Sequence, residues 1–412
     1  MNVFLINQYS GNKGDRAVLY FIVRELIRKG IDDITVSTSD RSFWAEIRDT
    51  YAKEITYVPW GWNIEGKPKS KLAYRLWWEK RRFMKNIAFP LICDRVNKGK
   101  KGIPPFFCNK EFHKALKNAD LVISTGGHHV TTRFFKDGTV SMIYDLMLVY
   151  LSQKPLILWS QTIGPLQFIN KNKEAALRKV LTYADSIYVR DLSSINVLKE
   201  FQVDNPHIIK TYESVFGLND LYSTNYILPS QRSNVVGITI YNAELRSADQ
   251  TQKYVKEITQ IVDHCITKGL EVCFFPHEMK GAVINDRLLI NDIIELMKYH
   301  QKATIMGKDY NTEEHLKHVA NCRLFIGHKT HSVIFALTMG TPLIAIAYHP
   351  KTKDFMKQFD LTDNCIDQDN LPGVHKKIND ILINLDAIGI KQFNKSKIFR
   401  KQIAKDFSGL FD

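Results

Sequence analysis

The chain has 412 residues, which is too long for one ordinary domain and indicates two. A hydrophobic content of 44% and a charged content of 24% are typical of a globular protein and exclude a disordered or low-complexity chain. The formal net charge is +14, and it is concentrated in residues 60–118, which carry 15 Lys and Arg against 4 Asp and Glu.

No segment has the pattern of a targeting or membrane-spanning sequence. The N-terminus lacks the basic region and long apolar run of a signal peptide. No apolar run approaches the roughly 18 residues of a transmembrane helix. The six cysteines show neither a C-x-x-C pair nor zinc-ligand spacing. We therefore expect a cytoplasmic protein with reduced thiols and no metal site.

Apolar strands, glycine loops and helical patterns alternate along the N-terminal half. The strand at 2–8 leads through a loop into an amphipathic helix over 16–29. Further strands are predicted at 34–39 and 186–191, with a strand running into a glycine turn over 119–127 and a strand and loop over 155–165. Continuous apolar strands that alternate with helices predict a parallel sheet covered on both faces.

The same pattern restarts after about residue 205. The predicted strands are 234–242, 271–278, 302–307, 322–327 and 342–348, and the predicted helices are 252–268, 285–300, 312–320 and 332–339. The predicted fold class is therefore α/β, with two Rossmann-like doubly wound domains that face a central cleft. We expect domains over 1–205 and 206–375 and a C-terminal helical tail over 376–412.

Glycine loops follow three of the N-terminal strands, where parallel sheets bind ligands. Gly11 and Gly14 allow close approach to a ligand, while Asp15 either caps the next helix or accepts a proton from a sugar hydroxyl. Gly126 and Gly127 suit a backbone-lined wall. Three residues on these loops, His128, His129 and Gln161, either contact a ligand or are ordinary loop residues.

Arg190 lies at the end of an apolar strand, and Asp191 or Ser193 begins the next helix. An arginine beside a helix N-terminus suits a phosphate or carboxylate. The alternative is a structural Arg–Asp pair.

The stretch 327–332, GHKTHS, separates an apolar strand from an apolar helix. Thr330 and Ser332 are candidate caps, Lys329 adds a positive charge, and His331 titrates near neutral pH. Together they predict an anion site with an acid/base group, whereas the alternative is that His331 only packs or caps. His328 is expected to be a bystander. After the next strand, Tyr348 and Lys351 are placed for a second anion contact.

Six motifs, taken in order, resemble the polysaccharide pyruvyl transferase family over residues 3–365, with an unmatched basic segment near 60–110. They are GNKGDRA, STGGHH, QTIGP, VRDLSS, FFPHE…D and GHKTHSVIFALTMGTPLIAIAYHPK. The resemblance implies a glycosyltransferase-B-like fold. It also implies transfer of a pyruvyl group from phosphoenolpyruvate to two hydroxyls of a sugar, with no metal or organic cofactor. The N-terminal domain would then lie on the acceptor side and the C-terminal domain on the donor side.

The family's arginine and histidine motifs fall on Arg190 and His331, while Lys329 stands where the family has arginine. Arg190, Lys329 and the helix N-terminus after Thr330 would neutralise phosphoenolpyruvate. His331 would be the general acid and Asp15 the general base.

The basic segment 60–118 includes an amphipathic pattern over 69–89. It is typical of a helix on an anionic membrane surface, which suits a lipid-linked oligosaccharide acceptor. A solvated subdomain is the alternative. Nucleic acid is not expected, because no binding motif accompanies the charge.

Two other functions remain open from the sequence. One is a nucleotide-sugar glycosyltransferase of the same architecture, although the helix after GHKTHS lacks the glutamate that such enzymes commonly use for ribose. The other is a non-catalytic carbohydrate- or anion-binding relative. We expect a transferase of capsule or exopolysaccharide biosynthesis.

Overall fold

The computed structural model describes residues 1–9, 12–39, 55–62, 70–133, 140–221, 226–241, 247–277, 286–348 and 350–411. The chain forms two compact units. The first comprises Met1–Ser10, Asp15–Ser214 and Asp406–Asp412, and the second comprises Gly11–Gly14 and Val215–Lys405.

The chain passes from the first unit to the second after Ser214, and residues of the expected C-terminal tail belong to both units. The last residues belong to the first unit because Phe407 packs against Trp159 and Phe21, with ring centroids 4.9 and 5.7 Å apart. Thr211 Oγ1 also donates a hydrogen bond to the Asp406 carboxylate at 2.6 Å.

The first unit is built on a sheet of eight strands. They are β1 (Val3–Gln8), β2 (Ile34–Thr38), β3 (Thr56–Pro59), β4 (Leu121–Ser124), β5 (Gly127–Val130), β6 (Leu156–Ile163), β7 (Ser186–Val189) and β8 (Ile208–Lys210). Their order is β3-β2-β1-β4-β6-β7-β8, and β5 also pairs with β6. All strand pairings described for this sheet are parallel.

Seven helices are described up to residue 200. They are α1 (Lys13–Arg28), α2 (Lys71–Phe83), α3 (Phe89–Asn97), α4 (Lys110–Asn118), α5 (Val140–Leu151), α6 (Lys171–Tyr183) and α7 (Leu192–Glu200). A π-helical turn, Met84–Ala88, joins α2 to α3. Helices α3, α5 and α6 contribute buried apolar side chains to one core with β1, β4 and β6.

The second unit has a six-stranded sheet, which is parallel at every described pairing. Its strands are β9 (Ser233–Ile238), β10 (Glu271–Phe274), β11 (Ala303–Ile305), β12 (Cys322–Gly327), β13 (Leu343–Ala347) and β14 (Cys365–Asp367), in the order β11-β10-β9-β12-β13-β14. Its helices are α8 (Ala248–Thr267), α9 (Asp286–Leu296), α10 (Thr312–Asn321), α11 (Thr330–Met339), α12 (Pro350–Gln358), α13 (Gly373–Ile383) and α14 (Leu385–Ser408).

The predicted α/β class with two parallel sheets is confirmed. The central strands were predicted because they are continuously apolar, and all six residues of β1 and all eight of β6 are buried. The short strands β3, β8 and β14 lack such a run and were missed. The turn predicted at Gly126 and Gly127 is wrong in part, because Gly127 begins β5 and pairs with Gln161 of β6.

None of the described helices combines the length and the apolar character needed to cross a membrane.

Candidate functional site

In the second unit, the predicted site residues follow the carboxyl ends of adjacent strands. Lys329, Thr330 and His331 come directly after β12, and Tyr348 comes after β13. His277 follows β10, two strands from β12. Parallel strands thus bring polar residues from separate motifs to one edge of this sheet.

Lys329 is buried and forms an ion pair with the first residue of α9. Its Nζ lies 2.9 and 3.0 Å from the two carboxylate oxygens of Asp286. The side chain of Asp286 is 1% exposed, so this carboxylate has its charge balanced away from water. Asp286 was not among the residues selected from the sequence, and only the fold shows that its carboxylate fixes Lys329.

His277 belongs to the same group. Its backbone N–H donates to Asp286 Oδ2 at 2.8 Å. Among the described residues its buried ring atom Nε2 has no hydrogen-bond partner. Burial holds the pKa of His277 well below its usual range, and the positive charges of His315, Lys329 and Lys13 act in the same direction. A neutral imidazole therefore lies in a strongly basic surrounding.

His331 is the second residue of α11, and Gly14 packs closely against its ring. A Cβ atom at Gly14 would lie 2.0 Å from His331 Cγ, which is far inside van der Waals contact. Gly14 belongs to the segment that packs with the second unit. A glycine is therefore required here if His331 is to keep its position. Gly11 lies outside the described residues.

Lys13, next to Gly14, is buried and forms an ion pair with Asp309. Its Nζ also donates to the carbonyl of Tyr310 at 3.3 Å. Neither Lys13 nor Asp309 was selected from the sequence, because a lysine in a glycine loop and an aspartate before a helix are both common on surfaces.

The predicted caps of α11 are wrong. Lys329 occupies the N-cap position, and no side chain among the described residues caps this helix end. Ser332 is buried, and its hydroxyl donates to the carbonyl of Lys329 at 2.7 Å and lies 2.7 Å from Thr239 Oγ1. Thr330 Oγ1 lies 3.1 Å from Thr352 Oγ1. The first-turn amides of α11 therefore have no side-chain acceptor from these two residues.

His328 is buried with both ring nitrogens engaged. Nδ1 lies 2.7 Å from the Tyr254 hydroxyl and Nε2 lies 3.1 Å from Gln368 Oε1. Burial lowers the pKa of His328 to about 4, although the bond to Gln368 opposes the shift. This geometry supports a structural role for His328.

Tyr348 stacks on Tyr241, with ring centroids 3.8 Å apart and planes tilted by 24°. Thr330 Oγ1 lies 3.5 Å from the Tyr348 hydroxyl. Lys351 lies in the first turn of α12. The two residues predicted as a second anion contact thus follow β13, beside the strand that leads to Lys329.

In the first unit, Arg190 follows β7 and is buried in an ion pair with Glu213, not with Asp191. Its Nε also donates to Thr162 Oγ1 at 2.8 Å. The predicted alternative of an Arg–Asp pair is therefore wrong. Asp191 instead caps α7, because its carboxylate accepts a hydrogen bond from the Ser194 amide at 2.8 Å. This confirms Asp191, one of the two residues predicted to begin the helix.

The other predicted residues of the first unit lie along β6 and at the ends of β1 and β4. Gln161 is fully buried, and its Nε2 donates to the carbonyl of Thr125 at 2.5 Å. A Cβ atom at Gly126 would lie 3.0 Å from the Ser160 carbonyl oxygen, so the backbones approach closely there.

Asp15 is buried in the first turn of α1. Asn12, rather than Asp15, precedes this helix, and its side chain accepts from the Gly14 amide at 2.7 Å. His129 is buried with Nε2 3.2 Å from the Gly126 carbonyl oxygen, and His128 Nε2 contacts the carbonyl of Gly164. Neither histidine is the freely solvated loop residue of the alternative interpretation.

Two parallel α/β units with polar loops after their strands define a glycosyltransferase-B-like protein. HepE of Anabaena in complex with UDP is similar, with a TM-score of 0.55, 11% identity and coverage of 100% of this chain and 99% of that chain. The UDP-GlcNAc 2-epimerase of Neisseria meningitidis bound to UDP-GlcNAc has a TM-score of 0.55, 11% identity and coverage of 98% and 100%. At these identities the likeness shows the fold alone.

The sequence pattern of the polysaccharide pyruvyl transferase family matches residues 12–350. The chain belongs to this family, which confirms the resemblance noted in the sequence. The amylovoran biosynthesis protein AmsJ of Erwinia amylovora is 23% identical over 407 residues, which cover 94% of each chain.

Proposed function

We propose that this protein transfers the pyruvyl group of phosphoenolpyruvate to two hydroxyls of a sugar. The acceptor would be a surface polysaccharide or its lipid-linked precursor, and the products would be a pyruvate ketal and phosphate. The observation that carries the proposal is the buried group of Lys329, Asp286 and His277 at the carboxyl edge of the second sheet, directly before His331 and the uncapped end of α11.

This edge suits an anionic donor. Phosphoenolpyruvate carries a phosphate and a carboxylate, and a helix N-terminus with a neighbouring ammonium group favours both. Lys329 is held at its position by Asp286, so little rotamer freedom has to be lost when an anion binds. The pair with Asp286 also explains how a lysine can stand where the family has arginine, because the carboxylate fixes an otherwise flexible side chain.

His331 donates a proton to the methylene carbon of the enol, which becomes a methyl group, while C2 gains oxocarbenium character. Two sugar hydroxyls then form two C–O bonds to C2, and the bond from C2 to the phosphate oxygen breaks. One hydroxyl proton restores His331, and the other is taken by Asp15 and then leaves with phosphate.

The acceptor side is proposed for the first unit, with Asp15 as the base that takes a hydroxyl proton. Asp15 is supported by its burial in the first turn of α1, next to the segment that reaches His331. Arg190 is proposed to bind a carboxylate or phosphate, although its charge is already balanced by Glu213. With a lipid-linked acceptor, the reaction would take place at the inner face of the membrane.

The test is phosphate release from phosphoenolpyruvate across a panel of free and lipid-linked sugars, with the ketal methyl group detected by NMR. Release that requires both substrates is expected. A thermal-shift comparison of phosphoenolpyruvate with UDP- and GDP-sugars separates the alternatives. Stabilisation by nucleotide sugars alone would identify a glycosyltransferase, and stabilisation without turnover would identify a binding protein.

A further inference from the structure

One long helical segment of the first unit, Lys71–Asn97, runs through α2, the π-helical turn and α3. Its first part, α2, begins at a Ser70 cap whose side chain accepts from the Ala73 amide at 3.2 Å. All thirteen residues of α2 are described, and none of them is buried. Tertiary packing normally stabilises a helix through a buried apolar face, so the exposed apolar side chains of α2 raise the question of what covers them.

The segment has two distinct apolar faces. The inner face, which the protein core uses, consists of Met84, Ala88, Ile92 and Val96. An outer stripe also recurs at helical spacing. It consists of Leu72, Leu76, Phe83, Ile87 and Leu91, which are 72%, 63%, 41%, 47% and 46% exposed. The inner face anchors the segment from Met84 onward, and within the outer stripe the Phe83 ring contacts the Phe107 ring, with centroids 6.2 Å apart.

Positive charge surrounds this outer stripe. Residues 71–97 carry seven Lys and Arg against two Asp and Glu. Six of the basic side chains are exposed, and they are Lys71, Arg75, Lys80, Arg81, Arg82 and Lys85. Glu79 is the one acidic side chain of α2, and its spacing puts it between Leu76 and Phe83.

We infer that the outer stripe of Lys71–Leu91 lies in the surface of an anionic phospholipid bilayer, with the flanking Lys and Arg side chains at the headgroups. An interfacial helix needs an apolar face for the acyl boundary and basic side chains for anionic lipid, and this segment presents both outside the core. A second copy of the chain fits less well, because it would bring two strongly positive surfaces together. This inference does not depend on the reaction proposed above.

The experiment is flotation of the full chain with vesicles of phosphatidylcholine, with or without phosphatidylglycerol, at low and high salt. Binding is expected only with phosphatidylglycerol and should weaken in high salt.

Two sets of substitutions separate the apolar and the charged contributions. The triple variant Leu72→Ser, Leu76→Ser and Phe83→Ser keeps the charge of the segment. It should reduce vesicle binding at least about tenfold, because it removes apolar side chains from the stripe. The triple variant Arg75→Gln, Lys80→Gln and Arg82→Gln keeps the stripe and should reduce binding about fivefold per charge. Glu79→Gln should strengthen binding.

Matched controls come from the exposed surface of the second unit. Leu288→Ser with Leu296→Ser removes two side chains that are 65% and 62% exposed, and Lys253→Gln with Lys256→Gln removes two exposed charges. Both should bind vesicles like the parent chain. Thermal unfolding of each variant confirms that it is folded.

Failure to bind anionic vesicles at low salt would overturn the inference. So would a stripe variant that binds like its controls. A concentration-dependent dimer without lipid that the stripe variant abolishes would show that a second copy covers this face. Phosphate release with a free sugar, measured on the same variants, tests the reaction separately and should be unchanged.

Discussion

Each unit contains a buried cation–carboxylate pair that follows a strand. The pair is Arg190 with Glu213 in the first unit and Lys329 with Asp286 in the second. Among the described residues, different atoms are left unsatisfied around the two pairs. In the first unit, Arg190 contacts Glu213 Oε2, while Glu213 Oε1 is buried without a hydrogen-bond partner among the described residues. In the second unit, Lys329 and the His277 amide use both oxygens of Asp286, and the unsatisfied atom is His277 Nε2.

These two unsatisfied atoms suit different ligands. A buried carboxylate oxygen accepts hydrogen bonds only, so it favours a hydroxyl donor such as a sugar. Nε2 of a neutral imidazole donates a hydrogen bond when it carries the proton, and in that tautomer His277 favours an anion. We infer that the pair in the first unit orders an acceptor-side wall and that the pair in the second unit orders an anion-binding position.

The largest effect is expected for His331, which adjoins the second pair. His331→Ala should reduce kcat for ketal formation by about 10² to 10⁴, because it removes the proposed general acid. Stopped-assay NMR of the ketal measures this loss, and His300→Ala, at an exposed position, is the control. Turnover near that of the parent chain would remove His331 from the mechanism.

The pair in the first unit should contribute mainly to stability. Glu213→Gln leaves Arg190 buried without its counter-charge, which should cost about 3 to 5 kcal/mol in the free energy of unfolding. Urea denaturation measures this loss. The i,i+3 pair of Lys171 and Glu174 offers a surface control, because Lys171 is 84% exposed and Lys171→Gln should change stability little. Equal losses in both variants would contradict the burial argument.

The pair in the second unit should act on donor binding. Lys329→Ala should raise KM for phosphoenolpyruvate about 10- to 100-fold, while Lys329→Arg should retain activity because it keeps the charge. Asp286→Asn should also raise this KM, since it releases Lys329. An unchanged donor KM in both Lys329→Ala and Asp286→Asn would show that this pair does not bind the donor.

The smallest effect concerns pH. The folded-state pKa of His328 is about 4, below the ordinary value near 6.5, so between these values the unfolded chain binds a proton that the folded chain does not. The free energy of unfolding should therefore fall as pH decreases through this window, by about 1.4 kcal/mol per pH unit from this residue. His328→Asn should flatten the slope, and His300→Asn should not. Equal slopes for all three chains would contradict a neutral buried His328.

The sequence predicted the sheets and the positions of the loops well, since both depend on local apolar runs and on glycine. The sequence also identified Lys329 and Arg190 as candidate site residues. It could not predict that their partners are Asp286 and Glu213, because the residues of each pair are 43 and 23 positions apart and meet only when the strands are ordered. The caps of α11 were mispredicted because Ser332 bonds across to Thr239, a contact that no local pattern contains.

The chain enters the first unit again at residues 406–412, after the whole second unit has been completed. Phe407 is fully buried there against Trp159, so the first unit takes part of its core from the far end of the chain. A fragment ending at Ser214 would therefore expose the Trp159 ring and leave a cavity where Phe407 packs. A deletion at the C-terminus should accordingly destabilise the unit that contains the N-terminus. A single cut after Ser214 therefore cannot yield a first unit with a complete core.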